Sequence, residues 1–192
     1  MPAAKRISKE AIIDAAAAVL RIGGFEAINA RSVAKALGCS TQPIYLSFRN
    51  MEELKSALTQ RAIEQHTQRV RESLRAHEGC DSRYSSYGMG FVQFAAQEKQ
   101  LFRWLYLEDN QPGRQQEDVL EPEIIRTVMD EFGYDEVTAR AFHRDMTYYS
   151  YGLAILANTG HLALTETELR EAFRREFRAL AAYYGPPKKL PE

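Results

Sequence analysis

The sequence predicts an all-α protein: a small N-terminal three-helix unit followed by a larger helical bundle, about nine helices in all. Three observations predict it. Apolar residues recur at three- and four-residue spacing along the chain, without convincing strand-type alternation. Cap residues and glycine stops divide the first fifty residues into short segments. Two long apolar stripes at helical spacing lie near the C-terminus.

The first helix is expected from Ser8, an N-cap residue, with Ile12, Ala16 and Val19 forming one face beside Ile13 and Leu20. Gly23-Gly24 stops it, because glycine takes the left-handed conformation at a helix end without penalty. A short second helix is expected over 30–37, capped by Asn29, facing inward through Val33, Ala34 and Leu37, and ended by Gly38. The third begins near Ser40 or Thr41. Pro43 is tolerated in its first turn, where backbone N–H groups have no helical partner, and Ile44 and Phe48 face inward. Asn50 and Glu53 resemble a capping box opening a long fourth helix that reaches about Arg75.

Residues 77–81 read as a loop. The next helix carries Tyr84, Tyr87, Phe91 and Phe94 on one face and leads into the aromatic run 101–106. Residues 109–113 read as a second loop, and two further helices part near Gly133. The eighth helix has the stripe Phe142, Met146, Tyr149, Leu153 and Leu156. The ninth, opened by a Thr165–Glu168 capping box, has Leu169, Phe173, Phe177, Leu180 and Tyr184, and ends at Gly185-Pro186-Pro187. The expected organisation is a head at 1–50, a body at 51–185 and a frayed tail at 186–192.

Composition narrows the function classes. Hydrophobic residues at 45% and charged residues at 27% fit a folded globular protein rather than a disordered one. No stretch approaches the roughly 20 apolar residues of a membrane span, and residues 1–10 lack the apolar core of a secretory signal, so the expected location is the cytoplasm. Cys39 and Cys80 form no disulfide framework and no CxxC pair, and read as free thiols. The net charge of −1 hides an asymmetry. Residues 1–50 hold seven basic and three acidic side chains, a balance of +4, which leaves −5 on the rest. A basic head on an acidic body suits phosphate binding at one end, although charge segregation alone is common.

The segment 29–53 packs a short helix, a turn through Gly38 and another short helix into some twenty residues. This is helix-turn-helix spacing, in which the second helix enters a DNA major groove. With Ile44 and Phe48 inward, Thr41, Gln42, Tyr45, Leu46 and Ser47 are left for the outer surface. Gln42 suits a base edge, and Thr41 suits a base edge or a thymine methyl. Tyr45, Ser47 and Arg49 suit phosphates. Pro43 serves as a helix-start device or a reader, and Leu46 as a methyl contact or a merely exposed apolar side chain.

Residues 8 to about 58 resemble the N-terminal domain of the TetR family (TetR/AcrR-like regulators). The glycine-aromatic pair after helix one, the Leu37-Gly38 pair before the turn, and Ile44-Tyr45-x-x-Phe48 followed by Arg49, Asn50 and Glu53-Leu54 carry the resemblance. It implies a dimeric regulator that binds a double-stranded DNA operator and represses until a small-molecule effector binds. Carried over by position, Tyr45 matches a phosphate-binding tyrosine, Arg31 a base or phosphate contact, and Lys5 and Arg6 backbone contacts. Ser32 completes the candidate DNA set of Lys5, Arg6, Arg31, Ser32, Thr41, Gln42, Pro43, Tyr45, Leu46, Ser47 and Arg49. Ser47 and Met51 depart from the His and Lys of many members, which weakens phosphate binding unless Arg49 compensates. Residues 87–107 resemble, more loosely, the sensor domain of one subgroup.

In the body, Phe91, Phe94, Trp104, Tyr106, His143, Tyr148, Tyr149 and Tyr151 are candidates for a ligand cavity, since pockets are mainly apolar with a few polar groups. Ordinary core packing competes for each of them, and His66 is an ambiguous case beside His143. Phe142, Met146, Gly152, Ile155, Leu169, Ala172, Phe173, Phe177 and Leu180 are candidates for a four-helix dimer interface built from helices eight and nine. Four histidines without ligand-type spacing argue against a metal, and no cofactor is expected. The lack of nucleophile-elbow, zinc-protease, P-loop or dinucleotide patterns argues against an enzyme. The competing reading is a helical small-molecule-binding protein, or an enzyme, with a vestigial DNA-binding head.

Overall fold

The computed structural model describes residues 7–75, 82–108 and 112–187. All regular structure among them is helical: α1 (Lys9–Gly23), a 3-10 turn (Phe25–Ala27), α2 (Ala30–Leu37), α3 (Gln42–Ser47), α4 (Met51–Arg75), α5 (Arg83–Gln97), α6 (Lys99–Phe102) continued by a π-helical turn (Arg103–Leu107), α7 (Pro112–Phe132), α8 (Glu136–Thr159) and α9 (Glu166–Tyr184). The chain forms two compact units. The first comprises Met1–Gln65 with Gln100–Gly113, and the second His66–Lys99 with Arg114–Glu192.

Local chemistry sets the helix ends in the first unit. The Ser8 hydroxyl accepts from the Ala11 N–H at 3.1 Å and starts α1. Gly24, at φ 75°, ends it. Asn29 Oδ1 accepts from the N–H groups of Arg31 and Ser32 at 3.1 and 3.0 Å, and the Ser32 hydroxyl accepts from the Asn29 N–H, which closes a full capping box on α2. Gly38 adopts the left-handed conformation (φ 68°, ψ 34°) that turns the chain toward α3. Asn50 accepts from the Glu53 N–H at 2.9 Å, but the reciprocal bond runs from the Arg49 N–H to Glu53 at 2.8 Å, one residue earlier than a regular capping box. The core of this unit joins Ile12, Ala16 and Leu20 of α1 to Val33, Ile44, Phe48, Leu54 and Leu58. Lys9 links the edge, over the Phe48 ring and within 3.7 Å of Glu53.

Two expectations need correction. Pro112 and Gly113 belong to the first turn of α7 rather than to a loop, in keeping with the tolerance of helix starts for proline. Trp104 and Tyr106 are buried in the first unit, where Trp104 stacks on Phe25 at 5.1 Å and Tyr106 lies 5.1 Å from Phe102, so they are core residues there. The loop expected at 77–81 and Cys80 lie outside the described residues.

In the second unit α5 and α8 pack along much of their length. Asn158 fastens their ends: it is buried, and its amide donates to the carbonyls of Ala95 and Lys99 at 2.9 and 3.0 Å, satisfying the C-terminus of α5. Phe132, Phe142 and Phe177 cluster with ring centroids 4.9–6.0 Å apart. At Gly88 a Cβ would stand 2.9 Å from the Phe173 ring, so glycine is what lets α9 approach α5 there. α9 opens with the Thr165–Glu168 capping box read from the sequence.

Candidate nucleic-acid interface and ligand cavity

The α2–turn–α3 segment has two faces. Val33, Ala34, Ile44 and Phe48 are buried, which fixes α3 by its inner side. Gln42, Tyr45, Leu46 and Arg49 are exposed on and just after α3, and Arg31 is exposed at the start of α2. Tyr45 and Leu46 keep 55% and 80% of their surface open to solvent, side by side on the outer face of α3. Arg49 is 93% exposed, with its guanidinium 4.0 Å from Glu53. Thr41, Pro43 and Ser47 are half-buried. Thr41 stands at the N-cap of α3 without a side-chain cap bond, and Pro43 occupies the first turn.

Ser32 has a different task from the one expected. Its hydroxyl closes the α2 capping box and donates to the Ala27 carbonyl at 2.7 Å, so it helps to build the head. Lys35, exposed on α2, is a cation that the candidate set left out. Lys5 and Arg6 lie outside the described residues. Cys39, in the turn, is half-buried with its thiol 3.2 Å from the Ser40 carbonyl oxygen.

The second unit contains a cavity of about 420 Å³ walled by α5, α7, α8 and α9. Phe91, His143 and Tyr151 of the expected ligand set line it. Phe94 instead faces a smaller cavity of about 260 Å³ beside His66, Tyr148 is 67% exposed, and the Tyr149 hydroxyl donates to the Ala172 carbonyl at 3.3 Å. Sequence reasoning missed Tyr84, Gly88, Thr147, Ser150, Arg174 and Arg178 as lining residues. A signal existed for two of them: Arg174 and Arg178 are four apart on α9, each next to a stripe phenylalanine.

Inside the cavity Tyr84 and His143 form a hydrogen bond of 2.8 Å between the phenol oxygen and Nδ1. Burial lowers the His143 pKa to about 4 and raises that of Tyr84, so both are neutral at physiological pH. His66 is also held near 4, by burial first and by Arg69 second. No group of three or more His, Cys, Asp or Glu among the described residues is arranged to hold a metal ion.

The expected interface set divides sharply. Phe142, Met146, Leu169, Ala172 and Phe173 are buried within the unit, so they are not surface residues. Gly152 and Ile155 are exposed, and Phe177 and Leu180 are half-buried. Tyr148 on α8 and Tyr183 on α9, the latter 80% exposed, lie beside the two stripes and add apolar surface there. A Cβ on Gly152 would meet nothing within 4 Å, so the α8 backbone is open to close approach there.

Residues 12–58 match the family of bacterial regulatory proteins described as the tetR family. No curated protein matches the chain in sequence. Among solved structures, a protein of Mesorhizobium loti assigned to the TetR-family transcriptional regulators is similar at 14% identity and a TM-score of 0.63, over 91% of this chain and 95% of that one. The fatty acid degradation regulator FadR of Bacillus halodurans is similar at 17% identity and a TM-score of 0.58, over 95% and 97%. A protein of Pseudomonas aeruginosa PAO1 assigned as a transcriptional regulator is similar at 17% identity and a TM-score of 0.59, over 91% and 90%. At these identities the likeness is one of fold, and it extends along nearly the whole chain.

Proposed function

We propose, from the match of residues 12–58 to the TetR family of DNA-binding transcriptional regulators, that the chain is a homodimeric repressor released from its operator by a small molecule. Residues 1–50 are the DNA-binding head in this reading, and 51–185 the ligand-binding and dimerisation body. The chemistry is binding rather than catalysis, and the site of action is the cytoplasm.

The observation that carries the reading is the α3 surface. Gln42, Tyr45 and Leu46 stand exposed on a helix held from behind by Ile44 and Phe48. Gln42 reads a base edge, Leu46 packs on a thymine methyl, and Tyr45, Arg31 and Arg49 hold the phosphates, with Lys5 and Arg6 adding backbone contacts. Thr41 adds a base-edge or methyl contact and Ser47 a phosphate contact, while Pro43 starts the helix. Two copies join through the outer faces of α8 and α9, around Tyr148, Gly152, Ile155, Leu180 and Tyr183. Exposed aromatic residues beside a glycine suit close helix pairing there. Each α3 then meets one major groove, with half-sites about a helical turn or more apart.

The effector occupies the α5–α7–α8–α9 cavity, and it lowers DNA affinity only by its differential affinity for two arrangements of the dimer. α4, unbroken from Met51 to Arg75, carries the change. A double-glycine insertion after Gln60 should uncouple effector from DNA, and intact release in that variant would remove α4 from the account.

The test is fluorescence anisotropy of the protein with duplex DNA flanking its own gene, against random duplex, at two salt concentrations. Tighter binding to the flanking duplex, weakening with salt, is the expected result. Equal weak binding to both would favour a ligand-binding protein whose head has lost its reader.

A further inference from the structure

We propose that the α5–α7–α8–α9 cavity takes an apolar organic anion, its hydrocarbon body among the aromatic walls and its carboxylate at the guanidinium groups of Arg174 and Arg178. The inference rests on the reading of this cavity as the effector site and names the chemical class of the effector.

Charge comes first. Arg174 and Arg178 are in the lining, and no Asp or Glu is. Arg174 pairs at 2.9 Å with Glu171, which stands outside the lining and is itself exposed. A pair of that kind is worth little and exchanges readily for a better-enclosed carboxylate. Arg178 is exposed and makes no ion pair among the described residues. Four residues apart on α9, the two guanidinium groups lie on the same side of the helix, each beside a ring, Phe173 or Phe177, that faces the cavity. One helix thus presents an apolar row and a cationic row side by side, which is the pattern of an amphipathic anion.

Several of the uncharged polar groups of the wall are engaged elsewhere. The hydroxyls of Thr147 and Ser150 donate to the carbonyls of His143 and Met146, each at 2.8 Å. Ser82 Oγ accepts from the Ser85 N–H at 3.0 Å as the cap of α5. Tyr84 and His143 bind each other, and the imidazole is neutral, so it adds no charge to the guanidinium pair. The charged donors of the lining are the two arginines, whose planar forks match a carboxylate. A cation would face two guanidinium groups with no lining carboxylate to offset them, and a neutral ligand would gain only the apolar contact. A cavity of about 420 Å³ falls in the size range of small-molecule sites, roughly 300–1,000 Å³.

The test measures binding to the full-length dimer by titration calorimetry with two isosteric series: 4-phenylbutyrate, 4-phenylbutanol and 4-phenylbutylamine, then decanoate, decanol and decylamine. In at least one series the carboxylate should bind at least tenfold tighter than its alcohol and its amine. Arg174→Gln with Arg178→Gln should erase that preference while leaving alcohol binding unchanged, and Arg175→Gln, exposed and outside the lining, should leave all affinities as they were. An alcohol or amine that binds as tightly as the carboxylate in both series would overturn the inference. So would a preference that survives the double substitution, or a failure of all six probes to bind. Operator release, followed separately by anisotropy, distinguishes the two readings. Carboxylate preference without release leaves the ligand class standing and removes the regulatory role; release by a neutral probe does the reverse.

Discussion

The head and the body of this chain use the same building material, amphipathic helices, to opposite ends. In the head the helices are short, and each is closed by a local device: Ser8 for α1, Asn29 with Ser32 for α2, Gly38 for the turn. Function is expected on the outside, where Tyr45 and Leu46 remain in solvent. In the body the helices are long, and the candidate site is enclosed, assembled from residues as distant in sequence as Ser82 and Arg178. A surface site needs only a rigid short helix behind it. An enclosed site needs four helices in register. The first can therefore be read from some twenty residues, while the second exists only once the fold does.

The sharpest way to break this comparison is to remove the outer surface of the head and leave its core alone. Arg31→Ala, Gln42→Ala and Tyr45→Ala together should weaken operator binding by at least about a thousandfold, since each base or phosphate contact contributes on the order of 1–3 kcal/mol and the proposed dimer would use each twice. Thermal unfolding and oligomeric state should not move, because all three side chains are exposed. A large fall in Tm would mean that these residues hold the head together instead.

The body should respond to pH through buried histidines, of which residues 1–65 hold none. His66 and His143 are neutral in the folded protein with pKa values near 4, below the ordinary 6.5 of the unfolded chain. The unfolded state then binds more protons between those values, so stability is full above about pH 6.5 and falls as pH drops toward 4. By linkage the loss from pH 7 to pH 5 is about 2 kcal/mol for His66 and less for the half-buried His143. Urea midpoints at the two pH values measure it, and a flat profile would show that both rings are open to water.

Asn158→Ala should cost about 2 kcal/mol, because it leaves the Ala95 and Lys99 carbonyls without their amide donor. Thermal denaturation would report it, and an unchanged Tm would show that α5 ends without help from α8. Smaller still is Tyr84→Phe, which removes one hydrogen bond to His143 and keeps the ring contacts with Phe132 and Phe142. A loss of about 1 kcal/mol is expected. That change should also raise the affinity of neutral probes for the cavity, and unaltered probe binding would place the Tyr84–His143 pair away from the ligand.

The contrast between head and body also decides what was legible in the sequence. Helix caps act over three residues, so α1, α2, the start of α4 and the start of α9 follow directly from Ser8, Asn29, Asn50 and Thr165. Periodicity shows that a side chain is buried but not against what. Trp104 and Tyr106 looked like cavity residues and instead sit with Phe25 and Phe102. Phe142 and Phe173 looked like interface residues for the same reason and are core. Asn158 gave no local signal, since its partners are about sixty residues earlier. Ser32 shows the limit from the other side: it stands where a DNA contact is expected, and its hydroxyl also closes a cap, which the sequence did not single out.

In this reading α3 recognises a DNA sequence with an outer surface that a buried one holds in place. Selection of the full-length protein against a random duplex library tests it most directly. The account predicts enrichment of a two-fold symmetric site, and a changed base preference at one position in each half-site when Gln42 is replaced by Ala. No enriched sequence, or an enriched site indifferent to Gln42→Ala, Tyr45→Ala and Leu46→Ala alike, would contradict it.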